Sequence, residues 1–453
     1  MAAEQFAAAI RAALGSSGDP AALAFEGFGA LPSAFPVTDL AAGSIGAAGL
    51  AIADLAGTAP RVAVDRRLAF LWFSATIRPI GWTLPAAWDP VAGDYRTRDG
   101  WLRLHTNAPH HRAAAERVLG AQPDREGMAA AVAGWDKAAL EAAIVAEGGC
   151  AAEMRSIADW AAHPQGAAVA TEPLVAFDPS VPAFSAWEPT PGRPLAGLRV
   201  LDLTRVLAGP VATRFLAGYG ADILRIDPPD WNEPSLEPDV TLGKRCARLD
   251  LRRDADRAVF EALLGGADIL VHGYRPGALD RLGYDRAARR ALSPGLIDVR
   301  LDAYGWTGPW AGRRGFDSLI QMSCGLAEAG QSWRGADRPV PLPVQALDHA
   351  TGYLLAAAAI RLVERRLRAG VAGGARLSLA RTAQLLLDAE RPTSTGALAP
   401  DADDDADAVI EATAWGPARR LRPPVTIEGT AMAWPLPARR LGTDRAAWAC
   451  GTD

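Results

Sequence analysis

Beyond Gly197 the chain alternates short apolar runs with longer stretches of helical period. LRVLDL over 198–203, ADILRI over 221–226, RLDL over 248–251, ADILV over 267–271 and LIDVR over 296–300 read as strands. Helices are predicted at 210–219 and 255–264 and after Pro276 and Tyr284. Strands of this length separated by helices predict an α/β fold with a doubly wound parallel sheet as the large domain, at 193–336. The texture before it is different. A small-residue helix within 31–55, a short strand at Arg61–Val64, a hairpin over Tyr95–Leu104 turning at Asp99-Gly100, and Ala-rich helices at 110–119, 124–133, 137–147 and 154–162 predict a smaller mixed α+β domain. The division expected is 1–192 as a truncated or permuted small-domain and helical region, 193–336 as the sheet domain, 337–392 as a helix-bearing segment packing with 29–192, and 393–453 as an acidic loop and extended arm. Five Asp within 401–407 predict a solvated loop there.

The stretch PVQALDHATG, followed by the apolar run Tyr353–Ile360, places Asp348 where an extended segment meets a long helix. Asp348 reads as a cap or first-turn residue, and free N–H groups at the helix start are expected to favour its ionised form. A packed, ionised carboxylate is a candidate nucleophile toward an activated acyl group. The plain alternative is a helix cap.

Asp348 has an echo. Asp39 and Asp348 are each followed four residues on by Gly (Gly43, Gly352), with Ala at the second, eighth and ninth positions after both. Arg61-Val62-Ala63-Val64 aligns with Arg376-Leu377-Ser378-Leu379, and EPLV at 172–175 with PPVT at 423–426. The period is too long for a solenoid, so the pattern predicts a duplicated or permuted domain. Only Asp348 follows the alternating sheet region, which makes Asp39 the expected relic and cap.

Composition narrows the function classes. A net charge of −5 gives no support for nucleic acid or an anionic membrane as partner. Four scattered Cys (150, 246, 324, 450) without CxxC spacing fit a reducing cytoplasm. The Ala-rich N-terminus carries Glu4 and reads as an amphipathic helix. No charge-free apolar run approaches the roughly 18 residues of a membrane span, and no metal-ligand spacing occurs. The glycines after the first strand are not in GxGxxG register.

Residues 194–385 resemble the family III CoA-transferases, the group that includes formyl-CoA and carnitine CoA-transferases and the 2-methylacyl-CoA racemases. The segments carrying the likeness stand in order: PLAGLRVLDLTRVLAGPVATRFLAGYGADILRIDPP, LGKRCARLDL, ADILVHGYRPGALDRLG, GWTGPWAGRRGFDSLIQMSCGL, LDHATGYLLAAAAI and GARLSLA. Residues 97–175 resemble the later part of that family, here placed before the sheet. The resemblance implies a Rossmann-like CoA-binding domain and a homodimer. It implies CoA as a substrate rather than a permanent cofactor, with an acyl-CoA and a carboxylic acid as partners. It makes Asp348 the covalent carrier, and implies that Val206 and Leu207 flank CoA, that Tyr274 and Arg281 contact adenine and phosphate, and that Arg314 stands near the thiol. Lys244 and Arg245, read as a turn, suit a phosphate. Gly325 is a candidate for close approach at an oxyanion. The turn Asp227-Pro228-Pro229 lacks an Arg found in formyl-CoA transferase, and His272-Gly273 stands where Glu-Asn is commoner.

The first competing function is the racemase branch, which needs two acid–base groups about the α-carbon. Its His falls on Phe316 here, which cannot carry a proton. The second is a non-catalytic CoA-binding subunit.

Overall fold

The structure, a computed structural model, describes residues 2–16, 22–57, 60–392 and 396–449. Cys450 lies outside the described residues. The chain opens with α1 (Ala2–Leu14), β1 (Leu23–Glu26), α2 (Val37–Ala56), β2 (Val62–Asp65), α3 (Arg66–Trp72) and β3 (Ile77–Pro79). A small domain follows: β4 (Gly93–Arg96), β5 (Trp101–Leu104), α4 (Pro109–Leu119), α5 (Arg125–Ala133), α6 (Lys137–Ala146) and β6 (Ala151–Glu153). Here β4, β5 and β6 form an antiparallel meander, and the expected hairpin turns between Thr97 and Gly100. Then come α7 (Ile157–Ala162), α8 (Pro164–Thr171), β7 (Ala176–Phe177) and β8 (Val181–Pro182).

The sheet region runs β9 (Arg199–Leu203), α9 (Ala208–Gly218), β10 (Asp222–Asp227), α10 (Glu237–Val240), β11 (Lys244–Arg248), α11 (Asp254–Gly265), β12 (Ile269–His272), α12 (Ala278–Arg281), α13 (Arg286–Leu292) and β13 (Ile297–Asp302). It continues through α14 (Asp317–Ser323), α15 (Leu326–Arg334), α16 (Ala346–Ala369), β14 (Val371–Ala372), β15 (Gly374–Ser378) and α17 (Leu379–Leu387). The chain closes with β16 (Ala406–Thr413), β17 (Gly416–Leu421) and β18 (Val425–Ile427).

The large sheet has the order β11-β10-β9-β12-β13-β15-β7. All neighbours are parallel except β7, which joins β15 antiparallel. Alternation along each strand sorts side chains to two cores, as a pleat requires. Val200, Ile269, Val271 and Leu377 face α9, α16 and α2. Leu201, Leu203, Leu224 and Leu270 face α11 and Tyr284. This is the doubly wound sheet the alternation predicted, with helices on both faces.

Three expectations are corrected. The third strand lies at 244–248, ahead of the apolar Leu249 and Leu251 that suggested 248–251, because its first buried residue is Lys244, paired with Asp202 of β9, which hydropathy cannot show. Segment 337–392 does not stand apart from the sheet: α16 packs on α9, and β15 is a sheet strand beside β13. The tail is not merely an arm. Arg67 pairs with Asp405 of the acidic run, β16 and β17 form a hairpin that β3 extends, and β18 pairs with β2. Helix α2 is long and apolar enough to cross a membrane, but 78% of that window is buried inside the protein, against α1 and α16.

The internal repeat is visible in backbone geometry. α2 and α16 are entered through the same inverse γ-turn, at Pro36 (φ −76, ψ 61) and Gln345 (φ −74, ψ 63), closed by Val37 N–H to Phe35 O and Ala346 N–H to Val344 O at 2.8 Å each. Asp39 and Asp348 are both the third residue of their helices. β1 lies parallel to β2 as β13 does to β15, and Asp65 and Ser378 cap the next helix through their side chains. This aligns Arg61 with Gly374, two residues off the register read from sequence, and Arg66 with Leu379. The halves exchange edges: β7, which follows the first copy, completes the sheet of the second, and β18, which follows the second, completes that of the first.

The two matching glycines serve helix contact. A Cβ on Gly43 would lie 2.6 Å from Phe6 Cβ on α1, and one on Gly352 would lie 2.5 Å from Ala208 O at the start of α9. Gly43→Ala and Gly352→Ala are each expected to cost about 1–3 kcal/mol through overpacking. Urea midpoints at constant m-value check this, and only Gly352→Ala should also disturb the cavity described next.

Candidate active site

In a doubly wound sheet, adjacent strands whose connections leave in opposite directions open a crevice at their carboxyl ends. Here the chain passes from β9 to β10 on one side, and β12 lies on the other. The turn after β9 (203–208) and the turn after β12 (273–278) diverge there and line a cavity of about 350 Å³. The end of β13 (Leu301–Ala303), the loop 313–316, Asp348, Leu379 and the small domain's His110 and His111 close it.

Val206 sits in this wall with φ +66, the only non-glycine with positive φ among the described residues. For a β-branched residue that is a strained backbone, held only where the surroundings over-determine it. Two buried charge networks do so. The Val206 N–H donates to Glu233 at 2.9 Å, and Glu233 in turn accepts from Arg225, which also binds Asp227. On the other side Asp202 accepts from Thr204 N–H and from Lys244 Nζ at 3.1 Å, while Lys244 also donates to Pro210 O and Thr213. Helix α9 starts at Ala208 on the cavity wall, so the positive end of its dipole faces the space.

Asp348 is 7% exposed and lines the cavity. The start of its helix is capped from outside: the buried Asp317 carboxylate accepts the N–H of Leu347 at 2.8 Å and of Asp348 at 2.9 Å, and a third bond from Gln321. No side chain at Gln345 caps. The Asp348 carboxyl itself has no hydrogen-bond or ion-pair partner among the described residues. The expectation that helix N–H groups favour its ionised form is therefore reversed. Burial, and then the neighbouring Asp317, push Asp348 well above the ordinary carboxylate value, and burial pushes Asp317 up to about 6.

Asp39 also fails as a cap. Its carboxylate pairs with Arg66 at 2.7 Å, and Arg66 is 5% exposed. At the equivalent position beside Asp348 stands Leu379, which leaves that carboxyl bare and facing the cavity.

The predicted residues divide cleanly. Asp348, Val206, Leu207, Tyr274 and Arg314 line the cavity together. Arg281 is exposed at the end of α12, whose first residue, Ala278, lines it. Lys244 and Arg245 do not contribute. Lys244 is 0% exposed in its pair with Asp202, and Arg245 is held by Asp222 and the carbonyl of Ala447. A strand points alternate residues to opposite faces, so neither reaches the cavity. Gly325 is also excluded: it packs against the backbone of Ser156 and Ile157. His272 is buried against Asp298 at 3.3 Å, while Gly273 lines the cavity.

Sequence reasoning missed Arg205, Arg275 and the histidines of the small domain. Arg205 lies over the rings of Trp231 and Tyr274, and among the described residues neither it nor Arg275 pairs with a carboxylate. With Arg314, whose guanidinium reaches only the carbonyl of Gly148, they make the cavity cationic. Phe316 is stacked on His105, ring centroids 3.7 Å apart, with His111 at its edge at 5.7 Å. Burial lowers His105 and His111 to about 3, so both are neutral and weak as bases. His349 points away, stacked on Phe73 at 5.0 Å.

Residues 195–407 match the sequence profile described as CoA-transferase family III. An acetyl-coenzyme A transferase of Hypoxylon pulicicidum, nodX, is 37% identical over 205 residues, covering 43% of this chain and 35% of that one. A probable fatty acyl-CoA transferase of Mycobacterium tuberculosis, Rv3272, is 32% identical over 196 residues, 40% of this chain and 49% of its own length. Its crystal structure overlays with a TM-score of 0.40 at 30% identity, over 44% of this chain and 60% of that one. An acetyl-CoA:oxalate CoA-transferase of Acetobacter aceti is 33% identical over 157 residues, 31% of this chain and 40% of that one. The chain thus spans no more than about half the length of these curated relatives.

A carboxyl held above its unfolded value lowers stability once pH exceeds the ordinary 3.8, and the loss grows until the folded group ionises. Asp348→Asn removes that loss. Its stability relative to the unsubstituted protein should be level below the ordinary 3.8 and should rise as pH increases above it in urea titrations.

Proposed function

We propose that this chain, whose residues 195–407 belong to CoA-transferase family III, moves CoA from an acyl-CoA thioester to a free carboxylic acid with Asp348 as covalent carrier. The observation that carries this reading is the bare Asp348 carboxyl sharing one cavity with Arg205, Arg275 and Arg314, cations without carboxylate partners. CoA supplies the anions for such a set, and its adenine suits the Tyr274 ring.

In the reaction an ionised Asp348 oxygen attacks the thioester carbonyl carbon. The C–S bond breaks, CoA leaves as thiolate, and a mixed anhydride remains. The thiolate then attacks the aspartyl carbonyl, the acyl group leaves as a carboxylate, and CoA is held as an aspartyl thioester. An incoming carboxylate takes the CoA by the same two steps in reverse. The first-turn N–H groups of α9 at the cavity wall are suited to the oxyanion. Leu301, Ala303, Phe316 and Leu379 give the reacting end an apolar lining, which favours an apolar acyl group over a second charged one.

Epimerisation at the α-carbon is the second reading, and the neutral, weakly basic His111 beside Phe316 disfavours it.

Incubation with a panel of acyl-CoAs and free acids, followed by mass, should show CoA exchange. Asp348→Asn should lower it by about a thousandfold or more and keep CoA binding. Arg205→Ala or Arg275→Ala should weaken CoA binding by roughly 1.5–3 kcal/mol in calorimetry. Asp39→Asn alone should cost roughly 3–5 kcal/mol by stranding Arg66, while Asp39→Asn with Arg66→Leu should fold and transfer normally. Epimerised product without exchange of CoA would overturn the reading.

A further inference from the structure

Most carboxylates at a helix start are stabilised by the N–H groups there. In α16 those groups are already taken. Asp317, fully buried on α14, accepts from both Leu347 and Asp348, and its remaining oxygen is filled by Gln321, whose own carbonyl oxygen is fixed by the Leu342 N–H at 2.7 Å. Among the described residues, nothing caps the other copy in this way, and there Asp39 is neutralised by Arg66. The capping carboxylate is therefore present only beside the carboxyl that faces a cavity.

We propose that Asp317 is a positioning residue for Asp348: by occupying the N–H groups that open α16 it leaves the Asp348 carboxylate without hydrogen bonds, and as a second anion it raises that oxygen's nucleophilicity while shrinking the ionised fraction. A carboxylate relieved of hydrogen bonds keeps its lone pairs free for attack, and a more basic oxygen is the better nucleophile. The proton lost on ionisation leaves through the cavity to water. The charged and titratable groups around Asp348 are accounted for. Arg205, Arg275, Arg314 and Asp302 line the same cavity, His110 and His111 are lowered by burial, and what raises Asp348 is its own burial and then Asp317. Arg103 acts on Asp317 and favours its anion. Asp317 is the group that both touches the Asp348 backbone and opposes its charge.

The consequence for rate rests on the transfer reading; the geometry does not. The test is a ¹³C titration of Asp carboxyl carbons in the full chain, with the Asp348 signal assigned by its loss in Asp348→Asn. In the unsubstituted protein the Asp348 midpoint should lie well above the ordinary carboxylate value of 3.8. In Asp317→Asn, which keeps an oxygen to cap the helix, its midpoint should fall by about one pH unit or more, and the acid limb of kcat/KM should move with it. Gln321→Leu, which removes a hydrogen bond that favours the Asp317 anion, should lower the midpoint in the same direction by less than Asp317→Asn. An Asp348 that titrates at or below the ordinary carboxylate value in the unsubstituted protein overturns the proposal even if Asp317→Asn fails to fold, as does an unmoved midpoint in a folded Asp317→Asn. If the midpoint shifts as expected but Asp348→Asn still transfers CoA, the transfer reading falls and the positioning role stands.

Discussion

Two hydrogen bonds at the start of the long helix, from Leu347 and Asp348 to the Asp317 carboxylate, set the chemistry of this protein. An uncapped helix start buried in a cavity wall would draw in the nearest carboxylate, and Asp348 is the nearest. With those donors already satisfied, the Asp348 carboxyl has no hydrogen-bond or ion-pair partner among the described residues. Its side chain is left as an unpartnered acid at the edge of an otherwise cationic space. The strained Val206 turn opposite is the second half of the same construction. Buried pairs Asp202–Lys244 and Arg225–Glu233 fix that turn so that α9 presents its positive end to the cavity.

The duplicated half shows what the arrangement requires, because it has the same scaffold without the chemistry. Both helices are entered by the same γ-turn, both carry Asp in the third position, and both use Gly four residues on to admit a crossing helix. Besides the Asp317 cap, which only α16 has, one side chain separates them. Arg66 begins the helix beside Asp39 and neutralises it, whereas Leu379 begins the helix beside Asp348 and leaves it open. The crosswise exchange of β7 and β18 ties the halves together, so each copy completes the sheet of the other.

Much of this was legible in the chain, and what was not has physical reasons. Strand–helix alternation gave the doubly wound sheet, because fully buried parallel strands are near-continuous apolar runs. The Asp-x-x-x-Gly echo gave the repeat, because Gly at a helix crossing cannot be replaced without strain. Lys244 and Arg245 were expected in a turn that suits a phosphate and lie in a strand instead: a Lys satisfied by Asp202, Thr213 and a carbonyl in the core reads in sequence like any solvated cation. The Asp317 cap was hidden for the opposite reason. It lies thirty-one residues from the helix it closes, and no local capping pattern signals it. His105 and His111 reach Phe316 from a domain folded separately, which spacing along the chain does not convey.

The central claim is that one carboxyl, Asp348, carries the group being transferred. Turnover in the presence of hydroxylamine, followed by peptide mass mapping, tests it most directly, because an activated aspartyl group is captured as a hydroxamate. The account predicts the hydroxamate on the peptide containing Asp348, only when acyl-CoA is supplied, and none on the peptide containing Asp39. A hydroxamate at Asp39, or steady exchange of CoA with Asp348 never labelled, would contradict it.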